Sequence, residues 1–266
     1  KKGSLMASYT GFYISLDRSK ERRISVVQQL KTLGWDDRYQ HFSAIDGNMV
    51  EHAAPPPDTA LSAGALGCWL SHESLLEEQT DAGKHLHIVE DDVVFHSSLG
   101  DFFEKFQSAE PDWDILCTDV YFHPPPRPEA IVNLAQTCQK NKASNHISAS
   151  DMRGLKFTST TSYFVNKNSI GKIAELLKGQ WRLGTTIDIF YNQLVQAGQI
   201  KALYTMPFLT TVSDHGYDST ITERSPHQEV LTLQRQAFYV ATDATDVYRQ
   251  ILNRKNVEAP NPYIGI

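Results

Sequence analysis

Cysteine is scarce in this chain, and long hydrophobic runs are absent. The three cysteines, Cys68, Cys117 and Cys138, are an odd number, and two of them lie in apolar stretches, which favours free thiols and a reducing, cytoplasmic location. Uncharged apolar stretches such as residues 65–70 are far shorter than the roughly 20 residues of a membrane helix, and no signal-peptide run is visible near the N-terminus. We expect no transmembrane segment and no export signal, with at most peripheral contact at the inner face of the cytoplasmic membrane.

Positive charge is also in short supply. The 25 Lys and Arg residues against 31 Asp and Glu residues give a formal net charge of −6, so the chain lacks the basic field with which general nucleic-acid binders neutralise phosphates. We therefore do not expect nucleic acid as a partner. The first predicted strand is not followed by a glycine-rich turn, which disfavours a Rossmann oxidoreductase or methyltransferase. The composition, 41% hydrophobic and 21% charged, is that of a globular protein and excludes a disordered, collagenous or coiled-coil chain.

What is present is an alternation of strand and helix patterns. The predicted strands cover residues 11–16, 39–45, 85–95, 113–117 and 156–165, and the predicted helices cover residues 24–34, 62–80, 168–177, 186–195 and 229–252. This order favours an α/β fold with a mostly parallel central sheet, whose ligands bind at the carboxyl ends of the strands. Residues 123–153 are rich in Pro, Asn and Ser and are interpreted as an irregular insertion.

The most informative segment is the acidic triplet Glu90-Asp91-Asp92, which interrupts the strand predicted over residues 85–95. Three adjacent carboxylates repel one another, and burying them costs several kcal/mol unless a cation or hydrogen bonds compensate. In a regular strand Glu90 and Asp92 share one face and Asp91 points away. Oxygen ligands suit Mg²⁺ or Mn²⁺. Two interpretations are equally open: a site for a cation and a diphosphate, or a strand that has reached solvent.

A stripe of small residues precedes the triplet. Gly64, Gly67 and Ser71 recur on one face of the helix predicted over residues 62–80, so some group is expected to approach this helix closely. Either a ligand contact or tight packing explains the glycines. His85 and His87 alternate at the start of the next strand, and are interpreted as surface residues rather than as ligands of a metal-dependent phosphatase or nuclease.

An ordered set of motifs gives the chain a family resemblance. The set begins with Tyr13-Ile-Ser-Leu-Asp17 followed by three arginines, and continues with Ala44-Ile-Asp-Gly47, Gly64-Ala-Leu-Gly-Cys-Trp-Leu-Ser-His72 and Val89-Glu-Asp-Asp92. Shorter pieces at residues 113–116, 161–165 and 187–188 follow in order. Taken together, they resemble glycosyltransferase family 25 over roughly residues 11–225.

The resemblance implies a GT-A fold over residues 8–225, followed by a C-terminal helical extension over residues 226–266. It also implies inverting transfer of a hexose, galactose or glucose, from a UDP-sugar donor with Mn²⁺ or Mg²⁺. The glycan acceptor would be lipid-linked or protein-linked, and the process would be bacterial lipooligosaccharide or lipopolysaccharide biosynthesis. An inactive homologue that only binds nucleotide-sugar is the alternative.

Site residues follow from the same resemblance. The metal ligands would be Asp92 and His215, with Asp214 as the alternative to His215, and Asp188 would be the catalytic base. For Asp188, an acidic residue that stabilises a helix start is an equally good explanation. The residues expected to bind the nucleotide-sugar are Ile14, Ser15, Leu16, Arg18, Asp46, Gly47, Ser71, His72, Glu90 and Asp91.

Overall fold

The computed structural model describes residues 8–50, 61–123, 128–213 and 226–242. The strands are β1 (Tyr9–Ser15), β2 (Tyr39–Ser43), β3 (His85–Glu90), β4 (Val93–Phe95), β5 (Ile115–Cys117), β6 (Tyr121–Phe122), β7 (Ser148–Asp151), β8 (Phe157–Thr158), β9 (Ser162–Val165), β10 (Ala202–Met206) and β11 (Thr210–Val212). The α-helices are α1 (Lys20–Leu33), α2 (Ala63–Glu78), α3 (Leu99–Ser108), α4 (Pro128–Ala143), α5 (Ile170–Leu177), α6 (Ile187–Gln196) and α7 (Pro226–Phe238).

A seven-stranded sheet in the order β2-β1-β3-β9-β5-β10-β7 forms the centre of the molecule. β9 runs antiparallel to both of its neighbours, and β7 runs antiparallel to β10, whereas the other five strands share one direction. The predicted α/β fold with a mostly parallel sheet is therefore confirmed.

Helices cover both faces of this sheet because its strands alternate their side chains between two cores. In β1, Phe12 and Ile14 belong to the core shared with α2, α5 and α6, whereas Tyr9 and Tyr13 belong to the core shared with α1 and α3. The same alternation continues through β3, β9 and β5. The result is a three-layer arrangement that leaves the carboxyl ends of the strands at one edge.

The single strand predicted over residues 85–95 is wrong. β3 ends at Glu90, Asp91 and Asp92 form a turn, and β4 pairs with β11 in a separate two-stranded sheet. The break falls at the acidic triplet, where the chain directs neighbouring carboxylates to different partners. The strand predicted over residues 156–165 is likewise two strands, separated by a segment in which Ser159 has a φ of 117°.

The irregular insertion predicted over residues 123–153 is also wrong. It contains α4, and β7 forms the last strand of the central sheet. Proline content misled the prediction, because Pro128 opens α4 at a position where a missing N–H costs nothing. The helix predicted over residues 229–252 begins earlier, at Pro226, and ends at Phe238. Residues 243–266 of the predicted C-terminal helical extension lie outside the described residues.

The histidines interpreted as surface residues are buried, which corrects that prediction. His87 is fully buried, and its ring lies between the hydroxyl of Tyr39 (Nδ1 to O, 2.5 Å) and the hydroxyl of Ser162 (Nε2 to O, 2.9 Å). Burial lowers the pKa of His87 to about 3 and that of His85 to about 4, so both rings are neutral near pH 7. His87 therefore cross-links strands inside the sheet.

All three cysteines are free thiols, as predicted. Within the part of the chain that the structure describes, no helix has both the length and the apolar character needed to cross a bilayer.

Candidate active site

Polar side chains converge at the carboxyl edge of the sheet. β1 and β3 run side by side, so Ile14 pairs with Glu90, the first residue of the triplet, near the carboxyl ends of both strands. β9 runs the opposite way, so the segment before it, residues 159–161, returns to the same edge, where the Glu90 N–H donates to the Thr161 carbonyl (2.8 Å). The carboxyl end of β5 adds Asp119, and α6 adds Asp188. The structure thus brings the triplet and Asp188 to one region.

The negative charge of Asp91 is compensated by partners in β1 and α1. Its Oδ2 accepts a hydrogen bond from the Ser15 hydroxyl (2.6 Å), and its Oδ1 lies 2.8 Å from Nη1 of Arg22. Asp91 is buried, so this pair of partners offsets the loss of water around its charge. Asp91 and its partners fasten the turn after β3 to the end of β1 and the start of α1.

Glu90 turns to the opposite side, toward α2. Its Oε1 accepts a hydrogen bond from the Thr160 hydroxyl (2.6 Å) and lies 3.7 Å from Nε2 of His72, which is too long for a hydrogen bond. Burial works to raise the pKa of Glu90, but the interactions with His72 and Thr160 outweigh it and leave the pKa below its usual value. Glu90 is therefore ionised near pH 7.

Unlike Glu90 and Asp91, Asp92 has a shielded carboxylate oxygen without a hydrogen-bond partner among the described residues. It is half-buried, and no described residue offers a hydrogen-bond partner to its Oδ1, although that atom is shielded from solvent. Burial, together with the charge of Glu90, raises the pKa of Asp92 to about 7. A shielded carboxylate oxygen without a partner, next to a second carboxylate, is a chemical environment that fits a divalent cation with a preference for oxygen ligands.

A buried ion pair that the sequence did not reveal lies beside Asp92. Arg235 of α7 donates from Nε to Oδ2 of Asp119 (3.0 Å) and from Nη2 to the same oxygen, and its guanidinium lies 4.7 Å from the ring centre of Tyr121. Arg235 is 1% exposed and Asp119 is equally buried. Burial lowers the pKa of Arg235, but Asp119 more than reverses this and keeps the side chain charged. Its positive charge also opposes the rise in the pKa of Asp92.

Asp188 lies in the first turn of α6 and is half-buried. Its Oδ1 accepts hydrogen bonds from the Thr186 hydroxyl (2.6 Å) and the Ile189 N–H (2.8 Å), and its Oδ2 accepts a longer one from the Ser159 N–H (3.3 Å). Burial raises the pKa of Asp188 despite these bonds, and the charge of Glu90 adds to the rise. Asp188 therefore occupies a helix start and faces the segment that contacts Glu90, so both interpretations of it stay open.

Two loops form an exposed rim beside the triplet. Arg18, in the loop after β1, forms an ion pair with Asp46, in the loop after β2. Asp46 also accepts from the N–H of Asn48 (3.1 Å), and Arg18 is the main cause that lowers the pKa of Asp46. The Arg18 side chain is 60% exposed, so it is free to contact a ligand at the rim.

Tight packing, one of the two interpretations of the small-residue stripe on α2, explains Gly67 and Ser71. A Cβ on Gly47 would lie 1.9 Å from the Ala63 carbonyl oxygen, and one on Gly67 would lie 2.5 Å from the Ile45 carbonyl oxygen, so backbone meets backbone here. Ser71 is fully buried, and its hydroxyl accepts from the Ile45 N–H (2.8 Å) and donates to the Gly67 carbonyl (2.6 Å). The loop after β2 is thereby fixed on α2.

The remaining predicted residues differ in how accessible they are. Ile14 is buried in the core, and Leu16 is half-buried with its carbonyl held by Nη1 of Arg23 (2.6 Å). His215 and its alternative Asp214 lie outside the described residues. The ligand-binding roles predicted for all these residues stay predictions.

Comparison with known proteins places this geometry in context. Residues 9–191 match the model of a family described as glycosyltransferase family 25 (LPS biosynthesis protein). The chain is also 28% identical over 135 residues to a Bos taurus protein named "Probable inactive glycosyltransferase 25 family member 3". That similarity covers 44% of this chain and 22% of the bovine protein, so the chain matches about a fifth of the length of this curated relative.

Proposed function

This chain belongs to glycosyltransferase family 25, and on that premise we propose that it is an inverting, metal-dependent hexosyltransferase. It would transfer galactose or glucose from a UDP-sugar to a glycan acceptor, on a GT-A fold. The single observation that supports this best is the shielded Oδ1 of Asp92, which has no hydrogen-bond partner among the described residues and lies next to the ionised Glu90. A divalent cation held by these carboxylates would offset the repulsion between them and the phosphates of a uridine diphosphate.

Asp92 is the residue proposed to hold Mn²⁺ or Mg²⁺. A cation bound there would act as a Lewis acid that stabilises negative charge on the departing diphosphate. His215 is proposed as a further ligand from the resemblance alone. The resemblance implies that Glu90 lies near the sugar or ribose, and its carboxylate is oriented by the hydrogen bond from Thr160.

The rim is proposed to recognise the rest of the donor. Arg18 presents an exposed guanidinium beside the triplet, and guanidinium groups form strong charge-assisted hydrogen bonds with phosphate oxygens. Asp46 orients Arg18 from the opposite loop. Since Ser71 and Gly47 fix that loop on α2, they would contribute to donor binding by position rather than by direct contact.

Asp188 is proposed as the general base that takes the proton from the attacking acceptor hydroxyl. Thr186 and the Ile189 N–H fix its Oδ1, and its Oδ2 retains a lone pair beyond the long bond from Ser159. Its raised pKa makes it a better proton acceptor than an ordinary aspartate. Asp188→Asn is expected to keep UDP-sugar affinity and to lose turnover by about 10²–10⁴-fold. Retained turnover would exclude Asp188 from this role.

Calorimetric titration of UDP-galactose and UDP-glucose, each with and without Mn²⁺, tests donor and cation together. We expect binding of one of the two donors that is strong with Mn²⁺ and weak without it. Asp92→Asn is expected to remove this dependence on Mn²⁺. Asp81→Asn, at an exposed turn residue, is the matched control and should behave as the unmodified chain does.

Identical binding of donor with and without Mn²⁺, or unchanged Mn²⁺ dependence in Asp92→Asn, would overturn the cation assignment. No binding of either donor would overturn the proposed donor class.

A nucleotide-sugar-binding protein without turnover is the second candidate. The observation that favours it is the name of the bovine relative, which describes that protein as probably inactive. Release of UDP in the presence of trial acceptors distinguishes the two candidates, because a binding protein gives none. Truncated lipooligosaccharide cores and a peptide-linked glycan, used as separate acceptors, distinguish lipopolysaccharide biosynthesis at the cytoplasmic membrane face from transfer to protein.

A further inference from the structure

Three potential metal ligands meet beside the site described above. Single ligand atoms of Cys68, His72 and Glu90 all lie within 4.8 Å of one another. Among the described residues, this is the set of His, Cys, Asp and Glu side chains whose geometry suits a shared ion. It differs from the proposed Asp92 site in that it includes a sulfur ligand.

Local structure explains why these side chains meet. Cys68 and His72 are four residues apart in α2 and therefore lie on one face of the helix. Glu90 ends β3, whose core face packs against α2. The cluster thus joins a helix to a strand at the carboxyl edge of the sheet.

His72 supplies a second, independent observation that points to a ligand. It is 0% exposed, and within the described part of the chain its Nε2 has no hydrogen-bond partner. Its other nitrogen, Nδ1, is held by the Tyr163 hydroxyl at 2.8 Å, which fixes the ring with Nε2 directed toward Glu90. Histidines that bind metals characteristically have their second nitrogen fixed in this way.

We propose that Cys68, His72 and Glu90 bind one zinc-class divalent cation through Sγ, Nε2 and a carboxylate oxygen. Thiolate and imidazole ligands favour Zn²⁺ over Mg²⁺ or Mn²⁺, so this site and the Asp92 site select different ions. As the sulfur–zinc bond forms, the Cys68 thiol loses its proton to solvent. Three protein ligands leave one tetrahedral position for water or for a donor group.

The surroundings favour a cation at this point. Thr160 donates to Glu90, and its hydroxyl lies 4.0 Å from Sγ of Cys68, so it is placed to orient two of the ligands. The carboxylate of Glu90 would supply negative charge to an ion bound at this point.

Metal titration of the full chain, stripped of metal with a chelator, tests the proposal. We expect one equivalent of Zn²⁺ to bind, and one equivalent of Co²⁺ to give the near-ultraviolet absorption of a cobalt–thiolate bond. Cys68→Ser is expected to abolish that absorption and to weaken zinc affinity by at least the roughly 10–100-fold that loss of an outer-shell partner costs. Cys138→Ser removes another buried thiol and is the matched control, with zinc binding unchanged.

A second measurement avoids substitutions altogether. Zinc is expected to slow alkylation of Cys68 in the unmodified chain, as followed by mass spectrometry of the peptide that contains it. No stoichiometric zinc binding, no cobalt–thiolate absorption, or identical zinc affinity in Cys68→Ser and in the unmodified chain would overturn the proposal.

The test also separates this inference from the proposed function. Zinc binding without any UDP-sugar binding would overturn the proposed donor and leave the zinc site standing. Mn²⁺-dependent UDP-sugar binding by a chain that takes up no zinc would overturn only the zinc site.

Discussion

The carboxylates on the two sides of the acidic triplet differ in how far the protein compensates their charges. On the side of α1, Asp91 is paired with Arg22 and bonded to Ser15, so its charge is balanced within the protein. On the side of α2 and α7, Glu90 has a histidine at 3.7 Å, and Asp92 has a shielded oxygen without a partner among the described residues. The contacts of Asp91 stabilise the folded chain, whereas the uncompensated carboxylate of Asp92 destabilises it. A cation bound to Asp92, as proposed, would offset that destabilisation.

This contrast shows why an acidic motif cannot be treated as a single unit. The three adjacent carboxylates face different helices and strands, and the residues that each carboxylate contacts there determine its role. Asp91 fastens the turn after β3 to β1 and α1, and Asp92 is the residue proposed to bind a cation. Substitutions on one side of the triplet at a time test this difference.

The largest effect is expected from Arg235→Met, on the side of α7. This change leaves the Asp119 carboxylate buried without its counter-charge, and removal of one partner of a buried ion pair costs about 3–5 kcal/mol. Urea-induced unfolding measures the loss. The double variant Asp119→Leu/Arg235→Met should lose less than Arg235→Met alone, because no charge is then left buried. A loss below about 1 kcal/mol in Arg235→Met would mean that the pair contributes little.

An intermediate effect is expected from Asp92→Asn in the metal-free protein. The pKa of Asp92 is about 7 in the folded chain against a usual 3.8, so the folded state holds this proton more tightly than the unfolded state does. The contribution of Asp92 to stability therefore declines as pH rises from about 4 to about 7. Asp92→Asn should remove this decline and raise stability at pH 8 by roughly 1–2 kcal/mol.

Unfolding free energies measured at several pH values between 4 and 8 check this expectation. Mn²⁺ should stabilise the unmodified chain at pH 8 and have little effect on Asp92→Asn. If Asp92→Asn is less stable than the unmodified chain at pH 8, the carboxylate has a partner that balances its charge, and the contrast between the two sides fails.

The smallest effect is expected from Ser15→Ala, on the side of α1. It removes one hydrogen bond to the Asp91 carboxylate while the Arg22 contact stays, so we expect a loss of about 1.5 kcal/mol, the low end for a hydrogen bond to a charged group. Thermal unfolding measures this loss, and calorimetry should find the Mn²⁺ dependence of donor binding unchanged. A large loss of Mn²⁺ dependence in Ser15→Ala would show that the two sides are coupled.

The sequence predicted the parts of the fold whose apolar residues repeat regularly. The helix predicted over residues 168–177 is α5 to within two residues, and the strand predicted over residues 113–117 contains β5. β10 was missed although all five of its residues are buried, because a short apolar run between helices carries no periodicity of its own. α4 was missed because local composition outweighed the helical pattern of a mostly polar segment.

The sequence predicted the acidic triplet from its adjacent residues, and the family resemblance added Asp188. The triplet was visible, but the partners that give each carboxylate its role were not. Arg235 lies 116 residues from Asp119, and nothing in local sequence links them. Cys68 was not predicted as a ligand, and the ring of His72 near it is held by Tyr163, a residue 91 positions away from His72.

The position of Arg235 has a practical consequence for how this chain is handled. Sequence similarity to the family stops at residue 191, but β10 lies between β5 and β7 in the central sheet, and α7 closes over Asp119. An expression fragment trimmed to the matched span would therefore lose an internal strand and expose a charged core position. We expect such a fragment to be insoluble, because the folded domain extends beyond the last residue that matches the family.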